Sequence, residues 1–213
     1  MNSTAFFAKL LENNFFQRKR EDWAMESLFI KLAKHPIIET ERLVLRPVTL
    51  DDAEAMFEYA SDKETTRYTF PTNQSLEETK NNIAQFYLAN PLGRWGIELK
   101  SSGEFIGTID LHKMDTVLKK AAIGYIIHKK YWNQGLTTEA NRAVIELVFE
   151  KIGMNRLTAL HDKDNPASGK VMEKSGMRFS HEEPYARMDK SEPGRFVTDV
   201  HYVLTKEDYF ANK

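Results

Sequence analysis

The strongest hydrophobic pattern in the chain is a continuous apolar run, Ala121-Ala122-Ile123-Gly124-Tyr125-Ile126-Ile127, which has the length of a buried strand. From Leu136 the pattern changes period. Leu136, Ala140, Ala143, Val144, Leu147, Val148 and Ile152 recur at helical spacing, and Gly153 supplies a stop. Between the two, Tyr131-Trp132-Asn133-Gln134-Gly135 leaves room for one tight turn. Upstream, Leu43, Leu45 and Val48 suggest a first strand with Pro47 near its end, and Asp51-Asp52 open a helix reaching about Tyr59. Ser75-Leu76-Glu77-Glu78 has the form of a capping box and starts a helix through about Leu88. Residues 95 to 99 and 105 to 111, around Ser101-Ser102-Gly103, predict a hairpin, and a turn near Asp115 leads to the central strand. After the long helix come a strand over 156 to 161, a short helix over 166 to 175, and a closing hairpin of 177 to 185 with 196 to 204. Strands and helices interleave around a single core over residues 36–213, an α/β arrangement without repeats or low-complexity tracts.

Residues 1–35 read as a helical extension of that domain. Phe6, Phe7, Leu10, Leu11 and Phe15 form one short pattern and Trp23, Leu28, Phe29 and Leu32 a second, separated by the charged run Gln17-Arg18-Lys19-Arg20-Glu21-Asp22. So many aromatics on a short segment need covering. Three arrangements would do it: a helical pair packed on its own domain, a homodimer surface, or a helix lying on a membrane, the last opposed by Glu12, Glu21 and Glu26.

Composition narrows the function classes. The 213 residues are 41% hydrophobic and 29% charged, ordinary globular usage, and the formal net charge of −1 sets up no overall field for nucleic acid or anionic membrane. With no Cys, disulfides, thiolate nucleophiles and Cys-based zinc sites are excluded, which fits a cytoplasmic location. No apolar run approaches the roughly 20 residues of a membrane span, and no secretory signal is expected.

The strand, the Gly135 turn and the helix together make an anion site. The first turn of a helix carries N–H groups without intrahelical partners, the macrodipole adds partial positive charge, and glycine permits close approach. About thirty residues on stands Asp164-Asn165-Pro166-Ala167-Ser168-Gly169-Lys170-Val171-Met172-Glu173-Lys174-Ser175-Gly176-Met177, and upstream Thr40-Glu41-Arg42-Leu43-Val44-Leu45-Arg46-Pro47-Val48. In this order the segments resemble the GNAT acetyltransferases, and within them the branch that acetylates the N-termini of ribosomal proteins, over about residues 37–206. The resemblance implies a GNAT fold, with a mixed, mostly antiparallel sheet whose central strands splay and are flanked by helices. It also implies acetyl-CoA as cosubstrate, no metal, and direct acetyl transfer to a primary amine through a tetrahedral intermediate without an acyl-enzyme.

Site assignments follow from the same resemblance. The pyrophosphate falls to Gln134, Gly135, Leu136, Thr137 and Thr138. The pantetheine arm pairs with the backbone of Ile126 and Ile127 and contacts the side chain of Asn165. Ser168 approaches the sulfur, where its hydroxyl would stabilise the developing thiolate. The chain departs from the superfamily pattern at Trp132, where Gln or Arg is usual, and at Thr137, where Gly or Ala is usual. By residue type alone, Asn165-Pro166 is an N-cap with its first helical residue, Ser168 a polar first-turn residue, and Ile126 and Ile127 simple core residues. A base must leave the amine a lone pair. The branch often has Glu before Ile-Gly-Tyr, and here Ala122 stands there. His112, with an ordinary pKa of about 6.5, is the substitute by residue type; an idle strand-end His, or a path through ordered water, is the alternative. The acceptor pocket is expected from loops near 66–75 and 186–196.

Competing motifs are absent: Gly135 stands without the further glycines of a dinucleotide fingerprint, and neither a P-loop, a His-Glu-x-x-His nor a nucleophile elbow occurs. The favoured acceptor is a protein N-terminal α-amine of the ribosomal-protein type. The alternatives are an amino sugar or polyamine, and a noncatalytic acyl-CoA-binding module.

Overall fold

The structure is a computed structural model that describes residues 26–213 except Ser191. Of the expected N-terminal patterns, the first and Trp23 of the second lie outside the described residues. The rest forms α1 (Leu28–Ala33), capped by the Ser27 hydroxyl, which accepts from the Ile30 N–H. Leu28 and Leu32 enter the main core, and the Lys31 ammonium donates to the Ile152 carbonyl at 3.0 Å.

Eight strands form one sheet in the order β1-β2-β3-β4-β5-β6-β8-β7. They are β1 (Ile38–Glu39), β2 (Leu43–Arg46), β3 (Arg94–Leu99), β4 (Phe105–Asp115), β5 (Lys120–Ile127), β6 (Arg156–Asp162), β7 (Arg178–Met188) and β8 (Phe196–Thr205). Every neighbouring pair is antiparallel except β5 and β6. That parallel pair is joined by the long helix, as a parallel crossover requires. The helix begins as α5 (Leu136–Glu146), continues as a π turn over Leu147–Ile152, and is capped by Gly153. The small helices are α2 (Ala53–Ala60), α3 (Lys63–Thr66), α4 (Leu76–Asn82), α6 (Pro166–Lys174) and α7 (Lys206–Ala211). At α4 the Ser75 hydroxyl accepts from the Glu78 N–H as expected, but the Glu78 carboxylate takes the Gln74 N–H, one residue ahead of the usual box. β1, α3 and α7 were not anticipated, being too short to show a period.

Alternation along the strands divides the apolar residues between two cores. Ile123 and Ile127 of β5 join Leu136, Ala140, Val144 and Val148 of α5 and its extension. Ile126 faces the other side, against Val48, Met56, Tyr59, Ile83 and Phe105. Two gathered faces on one sheet make the three-layer GNAT fold, with a mixed, mostly antiparallel sheet flanked by helices.

The sheet is opened where the apolar run was read. β5 and β6 pair only at Lys120↔Arg156, Ala121↔Leu157 and Ala122↔Thr158; beyond that β5 stays with β4 while β6 stays with β8. β4 and β5 stay close because Gly107 carries no side chain: a Cβ there would lie 2.3 Å from the Ile126 carbonyl oxygen. Gly107→Ala is expected to destabilise the fold by about 1–3 kcal/mol, read from the urea midpoint, whereas Gly103→Ala, with open space around it, meets only the backbone cost of its positive φ. Equal midpoints for Gly107→Ala and wild type would show that β4 can move away from β5 at no cost.

Candidate active site

The Gly135 turn is built from two directions. Locally, Asn133 and Gly135 both have positive φ, at 60° and 75°, so the chain reverses sharply into α5. Gly135 occupies the N-cap position and has no side chain to satisfy the first-turn N–H groups of Leu136, Thr137 and Thr138. From a distance, Glu139 in that first turn reaches the lead into β2: its carboxylate accepts from the Thr40 hydroxyl (2.6 Å), the Arg42 N–H (2.8 Å) and the Arg42 guanidinium (2.7 Å). Arg42 also donates to the Gln134 carbonyl at 3.0 Å. A trans peptide directs its C=O and N–H oppositely, so anchoring that carbonyl on Arg42 turns the Gly135 N–H away from it. The result is a row of oriented donors at a helix N-terminus, with the geometry of a phosphate cradle. Burial pushes the Glu139 carboxyl up, but the bonds from Thr40 and Arg42 outweigh it and hold the group below its ordinary value.

The two departures from the superfamily pattern have structural uses. The Trp132 indole N–H donates to the Ile127 carbonyl at 2.9 Å, bracing the turn against the end of β5 instead of reaching an anion. The Gln134 side chain bonds back to the Lys130 carbonyl at 3.1 Å and so braces the turn as well. Thr137 and Thr138 are half-buried on the first turn.

From the turn, the gap between β5 and β6 leads to a cavity of about 250 Å³. The His128 N–H donates to the Ile106 carbonyl at 2.8 Å, which fixes the phase of the β4–β5 ladder. Antiparallel bonding alternates, so Ala122, Gly124 and Ile126 direct their backbone groups at β4, and Ile123, Tyr125 and Ile127 direct theirs at the gap. The expectation of backbone pairing from Ile126 is therefore corrected: its N–H and C=O belong to β4, and it meets the cavity with its side chain. Tyr125 and Ile127 are the residues there whose backbone faces the gap, and the Ile127 carbonyl already accepts from Trp132.

Asn165 and Ser168 both line the cavity. The expected cap at Asn165 is absent: at φ −113° and ψ 63° the residue lies outside the extended conformation typical of a cap, and its side chain makes no bond to the helix. Ser168 is joined to Tyr125, a residue that sequence reasoning placed in the strand without a role. The Tyr125 hydroxyl donates to the Ser168 carbonyl (2.9 Å) and accepts from the Ser168 hydroxyl (3.2 Å). Burial raises the Tyr125 phenol above its ordinary range, so it stays a proton donor.

His112 does not line this cavity; it borders a separate hollow with Leu92, Lys113 and Met114. Its Nδ1 lies 2.8 Å from the carboxylate of Asp110, which does line the cavity. Asp110 is thus a carboxylate on the strand next to the one where Ala122 left the place empty. Alternation along β4 was the available signal, since Thr108, Asp110 and His112 share one face. Residues from the two loops expected to form an acceptor pocket line this cavity, Tyr68, Thr69 and Phe70 from one and Arg187 beside the other, and the Lys190 ammonium donates to the Thr69 carbonyl at 2.8 Å. Arg187 bonds Asp199 at 3.2 Å and approaches the buried Asp162, which also receives Arg195.

Residues 42–178 match the family described as acetyltransferase (GNAT) domain. The uncharacterized N-acetyltransferase YoaA of Bacillus subtilis is 37% identical over 147 residues, 67% of this chain and 83% of that protein. The putative ribosomal N-acetyltransferase YdaF of the same organism is 35% identical over 51% of this chain and 56% of that one. Among solved structures, a GNAT-family acetyltransferase from Bacillus anthracis superposes with a TM-score of 0.72 at 27% identity, covering 80% of this chain and 99% of its own. The chain belongs to the GNAT acetyltransferases, enzymes that transfer an acetyl group from acetyl-CoA to an amine. It is an N-acetyltransferase.

Glu139 generates a pH dependence with a definite sign. A carboxyl held below its ordinary value of about 4.5 contributes stability that is fully present above that value and is lost as pH falls through the lower folded one. Wild type is expected to melt well above Glu139→Gln at neutral pH, with the difference shrinking below about pH 4. Thermal melts of both across pH check it; a constant difference would remove Glu139 as its source. Gly135→Val should fold but lose acetyl-CoA-induced thermal stabilisation, because a β-branched residue is poorly tolerated at φ 75°. Retained stabilisation would place the phosphates elsewhere.

Proposed function

We propose that this chain acetylates a protein N-terminal α-amine, of the kind found on ribosomal proteins, with acetyl-CoA bound along the β5–β6 gap. The observation that carries the reading is the continuity of that gap, from the oriented N–H groups at Gly135 to a cavity holding Asp110 and Ser168. The pyrophosphate lies on the N–H groups of Gly135, Leu136, Thr137 and Thr138. The pantetheine amides pair with Tyr125 and Ile127, and the side chain of Asn165 meets the arm. When bound, acetyl-CoA supplies the activated acetyl group; the protein orients it and moves protons. Ser168 turns its hydroxyl from Tyr125 toward the departing sulfur, and the Tyr125 phenol holds the Ser168 carbonyl in place. Asp110 takes the proton of the incoming ammonium, and His112 holds that carboxylate and passes the proton to solvent.

The acceptor reading rests on charge, shape and basicity. The mouth carries Tyr68 and Tyr87 beside Asp110, so a cationic chain end meets aromatic and anionic groups. An α-amine has a pKa of about 7.7–8.0 against about 10.4 for a Lys side chain, so a site with a modest base favours the α-amine. The name of the relative YdaF points the same way.

CoA release measured with ribosomal-protein N-terminal peptides, Lys-type acceptors, amino sugars and polyamines is the direct test. Peptides with a free α-amine should turn over fastest at neutral pH; faster turnover of the small amines or of Lys acceptors would overturn the acceptor, and no turnover at all would leave a binding module. Ser168→Ala should lower kcat by about one to two orders of magnitude with little change in acetyl-CoA affinity. Asp110→Asn should remove the ascending limb of the kcat/KM pH profile, and His112→Gln should move it. Profiles of all three that superimpose would take the base role away from this pair.

A further inference from the structure

We propose that the β7–β8 hairpin carries a divalent transition-metal site formed by His181, Glu183 and His201. No spacing motif in the sequence points to it, and the resemblance implies no metal; strand pairing brings the three together. His181 and His201 sit opposite each other across the ladder. Their rings are parallel within 5° with centroids 4.4 Å apart. Glu183, two residues along β7 and so on the same face, places a carboxylate oxygen 3.0 Å from His201 Nε2. One donor atom from each residue lies within 4.8 Å of the other two.

Two imidazole nitrogens and one carboxylate oxygen form a donor set suited to Zn²⁺, Ni²⁺ or Cu²⁺ and poorly suited to Mg²⁺, which takes oxygen ligands. Ligands about 2.1 Å from a tetrahedral ion stand about 3.4 Å apart, so the existing spacing needs only side-chain rotation. Glu183 and His181 are exposed and His201 is half-buried, which leaves the remaining coordination positions to water. The location gives the ion a structural consequence. Among the described residues β7 lies at the edge of the sheet and pairs with β8 alone, and its ladder is irregular between Phe179 and His181 and again between Glu183 and Arg187. The ligands occupy the regular stretch between these breaks. An ion there would fasten β7 to β8 just before the strand delivers Arg187 to the acceptor cavity. The site stands apart from the acetyl-transfer chemistry and holds or fails independently of the acceptor proposed above.

The test uses full-length, untagged protein titrated with Zn²⁺, with Mg²⁺ in parallel, by calorimetry and by imidazole ¹H–¹⁵N spectra. One Zn²⁺ should bind per chain, and the His181 and His201 resonances should shift together while those of His35, His112, His128 and His161 stay in place. Glu183→Gln, at an exposed side chain, should weaken binding, and His181→Ala combined with His201→Ala should abolish it. The spectra on wild type decide the matter even where the double variant fails to fold. No binding at millimolar Zn²⁺, a shift confined to one histidine, or binding retained in the folded double variant would each overturn the site.

Discussion

The cofactor end of this molecule hangs on one carboxylate. Glu139 rises from the first turn of α5 and meets a hydroxyl, a backbone N–H and a guanidinium, all from Thr40 and Arg42, in the three residues that lead into β2. Strand and helix are far apart in sequence, and this contact ties the first turn of α5 to the entry of β2, while the turn itself is braced locally by the Trp132 indole and the Gln134 side chain. The same arginine fixes the Gln134 carbonyl, so a single charged cluster sets both the position of the helix and the direction in which its free donors point. Hydrogen bonds to charged partners are among the stronger ones in a folded protein, and here they fall at the place where close, fixed geometry is needed for an anion.

The opened sheet is the second constraint. A parallel pair that parts after three residues leaves backbone donors and acceptors facing a gap, a costly arrangement for any strand buried on both sides. The phase of the β4–β5 ladder decides which residues bear that cost, and Tyr125 and Ile127 are among them. One device inside the protein reduces it, the Trp132 indole on the Ile127 carbonyl, while the Tyr125 hydroxyl crosses the gap to the Ser168 carbonyl and ties α6 to β5. The groups left over are those an extended amide-bearing ligand can satisfy, so in the proposed reading binding and fold completion are the same event.

In the proposed reading, acid and base stand on different strands. Tyr125 and Ser168 stand on the β5–α6 side, with a phenol that burial keeps protonated, whereas Asp110 and His112 stand on β4. A carboxylate next to an imidazole can receive a proton and pass it on; a buried phenol beside a serine can only give. Beside them, Arg187 and Arg195 meet at the buried Asp162, and Arg187 also bonds Asp199, which ties β7 and β8 to the end of β6.

The sequence by itself determined the class of fold, the long helix from Leu136 with its stop at Gly153, the central apolar strand and the anion turn, because each depends on a local period or on the backbone freedom of one residue. It also pointed to Asn165 and Ser168 as residues beside the site. Only the tertiary structure decided what those residues touch. Whether Ile126 or Tyr125 faces the gap depends on ladder phase, which one apolar run cannot reveal. Asn165 lines a cavity instead of capping its helix because of the backbone angles it adopts there. Asp110 matters because β4 lies beside β5, and Glu139 because a helix surface residue happens to face a strand entry 97 residues away. Local pattern sets which elements form; long-range pairing sets which side chains meet, and the chemistry belongs to the meetings.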